Sequence, residues 1–198
     1  MTDITGVILA GGDNRRFPVN KGLLRVGGVR IIDRTLRLFR EIFEEVIIST
    51  NSPEYYFFSG ERMIGDLFPS RGPMSGIFSA LVNSRTDRIF VAACDMPFLN
   101  PSLIRYLSGI AVNADVVVCS FREGLHPLLG LYSKDILHPL ETRLREGTTG
   151  LQRFVRDLNA HIVEEEEIKK IDPEGVSFVN INTTGDFNKF IGGRICSD

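Results

Sequence analysis

Residues 6–24 read GVILAGGDNRRFPVNKGLL. The stretch opens with an apolar run at 6–9, and a run that is apolar at successive positions is typical of a strand covered on both faces. Two glycines, Gly11 and Gly12, end the run, and two arginines and a lysine follow. The stretch therefore predicts a buried strand that leads directly into a glycine-rich, basic loop.

The same alternation continues along the rest of the chain. Further apolar runs predict strands at residues 46–50, 88–93, 114–119 and 128–132, with later strands near 161–163 and 178–181. Helical spacing predicts helices at 31–43, 73–82, 101–107, 134–145 and 151–158, with Asn100 as the N-cap of the third. Such alternation predicts an α/β fold with three layers, in which helices flank a mostly parallel sheet. The glutamates at 164–167 are predicted to form a solvated turn.

The composition predicts a cytoplasmic enzyme or binding domain. The chain has 198 residues, of which 43% are hydrophobic and 24% charged, which is enough to build the core of a single domain. A net charge of −2 argues against a nucleic-acid binder that works through a large positive field. No apolar run approaches the roughly 18 residues of a membrane span, and the first residues lack the pattern of a signal peptide. The widely spaced Cys94, Cys119 and Cys196 fit neither a zinc site nor a disulfide framework.

The loop after the first predicted strand has the chemistry of a phosphate site. Gly11 and Gly12 lack a Cβ, so their backbone can approach a ligand closely and point N–H groups at an anion. Arg15, Arg16 and Lys21 bring positive charge to the same loop. The loop has neither the third glycine of a dinucleotide fingerprint nor the Gly-Lys-Ser/Thr of a Walker loop. A polyphosphate ligand is favoured, and a tight turn with solvated arginines is the alternative.

The second and third predicted strands also end in residues that could bind a nucleotide. In parallel sheets, ligands bind beyond the carboxyl ends of the strands. Asn51 follows the second strand, where its amide could read a base or ribose edge, although it also suits an ordinary turn. Asp95 follows the third strand, and its carboxylate is the kind of oxygen ligand that Mg²⁺ prefers. The alternative for Asp95 is a cap or turn residue, which is weaker because Asn100 already caps the next helix.

Later in the chain, four further polar residues are candidates for a site. Asn180 and Asn182 lie two residues apart, so a strand would place them on one face. His126 precedes a proline and a strand, and could be structural or functional. Asp186 could support a metal site, but an acid at the start of a helix is favoured.

Taken together, the segments LAGG, RR followed by K, CDMPF, HPLLGLY and NINT resemble the molybdenum cofactor guanylyltransferases. The resemblance runs from about residue 6 to residue 186, with the motifs in the order of the family. It implies a Rossmann-like nucleotidyltransferase fold and transfer of GMP from GTP to the terminal phosphate of molybdopterin, with release of pyrophosphate. It also implies Mg²⁺ as cofactor, a nucleotide-binding half at about 1–100 and an acceptor-binding half at about 101–198. Molybdoenzymes and other cofactor-biosynthesis proteins are the expected protein partners.

The resemblance also implies roles for individual residues. The nucleotide is expected to contact Leu9, Ala10, Gly11, Gly12, Lys21, Asn51, Asp66 and Asp95. The acceptor is expected to contact His126, Asn180 and Asn182. Lys21, Asp95 and Arg16 are the expected catalytic residues, and Asp95 is the expected Mg²⁺ ligand.

Two local differences bear on this interpretation. The loop reads LAGG, the guanylyl form, whereas cytidylyl relatives typically have LAAG. The family commonly has Met-Gly after the arginines and an acid before the lysine, and here the stretch is Phe17-Pro18-Val19-Asn20-Lys21. Pro18 is expected to stiffen the loop, and Asn20 to remove a negative charge beside the lysine. The alternatives are a related transferase that uses CTP or another acceptor, and a non-catalytic cofactor-delivery protein.

Overall fold

The computed structural model describes residues 2–11, 20–68, 72–122, 124–148 and 150–181. The strands are β1 (Thr2–Leu9), β2 (Arg25–Val26), β3 (Val29–Arg30), β4 (Phe43–Ser49), β5 (Arg62–Ile64), β6 (Arg88–Ala93), β7 (Val116–Phe121), β8 (Gly124–Ser133) and β9 (Ala160–Val163). The α-helices are α1 (Ile31–Ile42), α2 (Pro73–Asn83), α3 (Pro101–Gly109), α4 (Leu137–Arg145), α5 (Leu151–Arg156) and α6 (Glu165–Ile168).

Seven of the strands form one sheet in the order β5-β4-β1-β6-β8-β7-β9. All neighbouring pairs are parallel except those that involve β8, which runs antiparallel to both β6 and β7. Leu9 pairs with Ser49 on one side and with Ala93 on the other, so β1, β4 and β6 end level. The sheet includes strands from both predicted halves of the chain. The assignment of nucleotide and acceptor to those halves stays a prediction.

Helices cover both faces of the sheet, because the side chains of the parallel strands are apolar on both sides. On one face, Ile8 of β1 packs in a cluster with apolar residues of α1, α3 and α6. On the other face, Val7 packs in a cluster with apolar residues of α2, α4 and α5. Successive residues of a strand point to opposite faces, so the unbroken apolar run supplies both cores. The three-layer α/β architecture is confirmed.

A small hairpin, β2–β3, stands apart from the main sheet and was not predicted. Its two central residues, Gly27 and Gly28, have φ of +57° and +77°. Two-residue hairpin turns of this kind need positive φ at both positions, which glycine adopts without strain. The adjacent glycines in RVGGVR are the sequence signal for this turn.

Two predicted elements are wrong. Residues 178–181 are not a strand, because Val176–Phe178 form a 3₁₀ turn and the chain then runs beside the Asp95 loop, where Ile181 N donates to the carbonyl of Asp95 at 3.0 Å. The predicted solvated turn at 164–167 is largely helix α6, which forms because Ile168 at its end is fully buried. In addition, α1 ends one residue early, since Phe43 begins β4.

Among the described residues, no helix is both long enough and apolar enough to span a membrane.

Candidate active site

A cleft of about 720 Å³ opens where β1, β4 and β6 end. The chain proceeds from β1 to β4 on one side and places β6 on the other side of β1, so this edge is a topological switch point, where ligands bind in open α/β sheets. Ala10 N donates to the Ser49 carbonyl at 2.8 Å, and Cys94 N donates to the Leu9 carbonyl at 3.0 Å, which fixes the three strand ends to each other. The predicted nucleotide residues that line the cleft are Leu9, Ala10, Gly11, Lys21, Asn51, Asp66 and Asp95.

An ion pair lies in the wall of this cleft. Lys21 Nζ lies 3.1 Å from Asp95 Oδ2, and the two side chains are 25% and 18% exposed. Asp95 follows β6, and Lys21 begins the 3₁₀ turn Lys21–Leu23, so the two residues come from different ends of the predicted nucleotide half. The structure therefore brings the predicted lysine and the predicted strand-end carboxylate together. Their catalytic roles stay predictions.

Asn20 has a different role from the one that the sequence suggested. It is buried, and its Oδ1 accepts hydrogen bonds from Gly22 N at 3.1 Å and from the Tyr56 hydroxyl at 2.6 Å. Asn20 is thus the N-cap of the turn that carries Lys21, and not merely a missing charge beside it. Tyr56 was not predicted as part of the site, because its partner is 36 residues away in the chain.

Asn51 and Asp66 form a closed pair on the opposite side of the cleft. Asn51 Nδ2 donates to Asp66 Oδ2 at 2.7 Å, and Asp66 N donates to Asn51 Oδ1 at 2.8 Å. Burial raises the pKa of Asp66 above its ordinary value, and the hydrogen bond from Asn51 partly offsets the rise. The pair uses one carboxylate oxygen of Asp66. The sequence predicted both residues, but not that they bind each other.

Helix α2 holds the Asp66 loop through two buried serines that were not predicted. Ser79 Oγ accepts from Leu67 N at 2.9 Å, and Ser75 Oγ accepts from Phe68 N at 3.2 Å. Gly76 lies between them, and a Cβ there would meet Leu9 Cδ2 at 2.9 Å and Ser49 Oγ at 3.0 Å. The signal in the sequence was two serines and a glycine on the otherwise apolar face of the helix, since small polar residues there need a specific partner.

Asn180 lies beside Asp95 because the next residue, Ile181, is hydrogen-bonded to the Asp95 backbone. Its Oδ1 is buried and has no hydrogen-bond partner among the described residues. A buried oxygen in that state is costly unless a ligand or ion satisfies it. The Asp95 carboxylate and the Asn180 amide oxygen are both hard oxygen ligands of the kind that Mg²⁺ prefers. Within the described ranges, no cluster of three or more His, Cys, Asp or Glu side chains forms a metal site.

His126 lies in a separate pocket of about 160 Å³. Its Nε2 lies 3.1 Å from the carbonyl oxygen of Phe121, and its ring centroid lies 4.5 Å from that of Phe178. Burial lowers the pKa of His126, and the carbonyl of Phe121 opposes this shift. The pocket adjoins the cleft, since Leu128, two residues further along β8, lines the cleft. The predicted acceptor role of His126 stays a prediction.

Several predicted residues lie outside the described residues: Gly12, Arg15, Arg16, the Phe17-Pro18-Val19 segment, Asn182 and Asp186. Cys94 also lines the cleft. Burial and the adjacent Asp95 carboxylate raise the pKa of Cys94 to about 12, so its thiol is protonated at neutral pH and is not a nucleophile.

Comparison with known proteins identifies the family. The sequence profile of the MobA-like NTP transferase domain matches residues 6–163. The chain belongs to this family. The "Probable molybdenum cofactor guanylyltransferase" of Pelotomaculum thermopropionicum is 38% identical over 96% of this chain and 92% of its own length. The molybdenum cofactor guanylyltransferase of Desulfosudis oleivorans is 34% identical, over 96% and 95% respectively.

A solved structure agrees with this membership. The molybdopterin-guanine dinucleotide biosynthesis protein A of Archaeoglobus fulgidus superimposes with a TM-score of 0.83 at 26% identity, over 96% of this chain and 97% of that chain. The family resemblance and the fold predicted from the motifs are confirmed. Membership of this family of transferases also confirms that the protein is a nucleotidyltransferase.

Proposed function

We propose that the protein transfers GMP from GTP to the terminal phosphate of molybdopterin, releasing pyrophosphate and forming the guanine dinucleotide form of the cofactor. The observation that carries this proposal is the Lys21–Asp95 pair in a nucleotide-sized cleft at the switch point of the sheet. The names of the relatives support the choice of GTP and molybdopterin, because relatives that match along nearly their whole length are named molybdenum cofactor guanylyltransferases.

The Asn51–Asp66 pair suits a guanine base. Asn51 occupies Oδ2 of Asp66, which leaves Oδ1 as an acceptor toward the cleft. The edge of guanine that carries its exocyclic N2 amine presents donors, and a carboxylate oxygen pairs well with them. The two reciprocal bonds and the bonds from Leu67 and Phe68 to the serines of α2 hold this acceptor in one position.

The Lys21 ammonium is the described cation closest to where the phosphates would lie. In the structure it pairs with Asp95, and both side chains remain partly exposed to the cleft. A polyphosphate that enters the cleft carries several negative charges and competes with Asp95 for this ammonium. The backbone at Gly11 has no side chain in the way, since the nearest atom to a built Cβ is the Ser49 carbonyl at 4.0 Å. The loop can therefore approach the nucleotide closely.

The reaction needs no general base from the protein. A phosphate monoester is largely ionised near neutral pH, so the terminal phosphate of molybdopterin can attack the α-phosphorus of GTP in line. Cys94 keeps its proton, and His126 lies in the adjoining pocket outside the cleft lining. Catalysis then depends on positioning and on neutralising charge, which Lys21 supplies toward the departing pyrophosphate. Asp95 and Asn180 would hold Mg²⁺, which when bound supplies further positive charge to the phosphates.

The pocket around His126 is the proposed place for the acceptor ring. Phe178 stacks on Phe121 with a centroid distance of 4.9 Å, and its other neighbour is the His126 ring. Three residues after Phe178, Ile181 is bonded to the Asp95 backbone. Because three residues span at most roughly 10 Å, an acceptor that places its ring at Phe178 could extend its phosphate toward Asp95.

The decisive experiment measures pyrophosphate release by the purified protein with GTP, molybdopterin and Mg²⁺. We expect release only when all are present, and a much lower rate when CTP replaces GTP. Release with another phosphorylated acceptor but not with molybdopterin would identify a different transferase of this fold. Tight GTP binding without any release would instead favour a cofactor-delivery protein.

A further inference from the structure

A buried hydrogen bond lies directly beneath the turn that carries Lys21. The Tyr56 hydroxyl donates to Asn20 Oδ1 at 2.6 Å, and the same oxygen accepts from Gly22 N at 3.1 Å. Tyr56 is fully buried, whereas its neighbour Tyr55 is 46% exposed. One side-chain oxygen thus connects the turn to a distant segment of the chain.

This connection adds a side-chain anchor to the backbone bonds of the turn, in which Leu23 N donates to the Asn20 carbonyl at 3.0 Å and Leu24 N donates to the Lys21 carbonyl at 3.1 Å. The turn is a 3₁₀ turn of only three residues, Lys21–Leu23, and such short turns are weakly stable alone. Gly22 permits the close approach, since a Cβ there would lie 3.0 Å from the Tyr56 hydroxyl and 3.5 Å from Cys94 Cβ. The turn is therefore held against the end of β6, the strand that precedes Asp95.

A lysine side chain is long and flexible, so the position of its ammonium depends on the position of its backbone. We propose that Tyr56 and Asn20 are positioning residues for nucleotidyl transfer, which act by holding the turn so that the Lys21 ammonium stays beside Asp95 in the cleft. The proposal rests on the proposed function. It also explains why an amide can stand here in place of an acid, since what the turn needs is an oxygen acceptor, and both side chains provide one.

The first test compares Tyr56→Phe with Tyr55→Phe. Both remove one phenol hydroxyl, but only the first removes the bond to Asn20. Because one buried hydrogen bond is lost, we expect Tyr56→Phe to lower kcat/KM for GTP about tenfold while leaving the affinity for guanosine, which has no phosphates, unchanged. Tyr55→Phe should match the wild type. An unchanged kcat/KM in Tyr56→Phe would overturn the proposal, as would an equal loss of guanosine affinity.

The second test uses position 20. Asn20→Asp keeps an oxygen acceptor for Tyr56 and Gly22, so we expect its kcat/KM to lie within about threefold of the wild type. Asn20→Leu removes the acceptor, so we expect its kcat/KM to fall at least as far as that of Tyr56→Phe. A merely structural role would make the two variants differ in melting temperature but not in kcat/KM. That result, or equal activity of both, would contradict the proposal.

The third test asks whether Tyr56 acts through Lys21. In a double-mutant cycle, Tyr56→Phe should have almost no further effect in a Lys21→Ala background, because the group that it positions is gone. A full tenfold loss in that background would show that Tyr56 acts on something else.

A final readout does not depend on the proposed reaction. Lysines are acetylated with acetic anhydride, and the rate at each site is measured by peptide mass spectrometry. Lys21 should be acetylated several times faster in Tyr56→Phe than in the wild type, while Lys134, which donates to the Ser84 carbonyl elsewhere, should be unchanged. If the wild type releases no pyrophosphate, the proposed function fails, and this rate still decides the positioning inference: equal rates at Lys21 would overturn it.

Discussion

Lys21 and Asp95 face each other at 3.1 Å, and both remain in contact with solvent in the cleft. A partly exposed ion pair contributes little to stability, since screening and side-chain entropy offset most of the attraction. The pair matters for the site, because it places a positive and a negative charge in the cleft. A cation and a carboxylate held together at the end of a sheet are available to phosphates and to a metal ion, whereas a buried pair would not be.

Replacing Asp95 with Asn should therefore abolish transfer without unfolding the protein. We expect a loss of at least about 100-fold in kcat, and a melting temperature within a few degrees of the wild type. Steady-state pyrophosphate release and a thermal melt measure the two quantities. Asp33→Asn is the control, since Asp33 pairs with Arg30 at 2.7 Å away from the cleft. Retained Mg²⁺-dependent turnover in Asp95→Asn would exclude the carboxylate as the metal ligand.

Lys21→Ala should weaken GTP binding and slow transfer together. An ammonium that contacts the phosphates acts in both the ground state and the transition state, so we expect KM for GTP to rise and kcat to fall, each by about tenfold or more. Lys169→Ala is the matched control, because Lys169 pairs with Glu165 on the surface. If the kinetics equal those of the wild type, Lys21 does not act on the phosphates and its turn is only structural.

At the scale of elements, the Asp66 side of the cleft follows the end of strand β5 and is supported by a helix. Helix α2 shows this most clearly, since its Ser79 accepts from Leu67 N and its Gly76 lies against β1. Removing a buried acceptor leaves the donor unsatisfied, which costs about 1–3 kcal/mol. We therefore expect the helix to support nucleotide binding through the Asp66 loop.

Ser79→Ala should raise KM for GTP several-fold with little change in kcat. The substitution loosens the Asp66 loop, and so weakens the binding of the ground state and of the transition state equally. Ser84→Ala is the control at the end of the same helix, where Ser84 Oγ donates to the Thr86 carbonyl at 2.9 Å and does not contact that loop. Both variants should lose stability, but only Ser79→Ala should change KM. A change in KM of the same size in both would contradict this role.

Glu45 joins elements at the opposite end of the sheet. Its carboxylate accepts from Thr5 Oγ1 at 2.8 Å and from Arg62 at 3.3 Å. Partial burial raises the pKa of Glu45, but the hydrogen bonds from Thr5, Arg85 and Arg62 outweigh it, so the pKa lies below its ordinary value. The carboxylate therefore stabilises the fold at pH values above the ordinary carboxyl pKa, and this contribution is lost as the pH falls through the lowered value.

Glu45→Gln should accordingly lower the free energy of unfolding at pH 7 by about 1 kcal/mol. The variant should therefore unfold at a lower urea concentration than the wild type. The difference should shrink as the pH falls below the ordinary pKa of a glutamate. Urea titrations at several pH values measure it, and a difference that stays constant with pH would show that the charge of Glu45 is not the cause.

Elements were predictable from the sequence where one local pattern determined them. The strand at 88–93 and the Asn100 cap follow from an apolar run and from cap chemistry, and both are confirmed. The direction of β8 was not predictable, since its antiparallel pairing with β6 and β7 depends on contacts between strands that no local pattern specifies. The pairs Tyr56–Asn20 and Ser79–Leu67 depend on distant parts of the chain, and no local spacing indicates them.

At the scale of the whole molecule, the nucleotide would contact segments that follow β1, β4, β5 and β6. A ligand that binds only the folded chain stabilises it by roughly 2.7 kcal/mol at 100 times its Kd. For a chain of this size, each kcal/mol raises the melting temperature by about 2–4 °C.

GTP should therefore raise the melting temperature by about 5–10 °C under these conditions, and CTP at the same concentration by much less, because the Asp66 acceptor is proposed to pair with guanine. Differential scanning fluorimetry with both nucleotides measures the shift. Equal shifts would indicate that the cleft does not distinguish the two bases, as in a cytidylyl relative.

Strand β8 carries Leu128 in the wall of the cleft and His126 in the wall of the small pocket. His126 pairs with Cys119 of β7 and Gly130 pairs with Val118, so the register of β8 shifts between the two cavities, and Leu128 pairs with neither neighbouring strand. The spacing between the two cavities is thus set by an irregularity in the sheet. The residues around His126 could therefore change to accept a different molecule, while the paired ends of β1, β4 and β6 stay as they are.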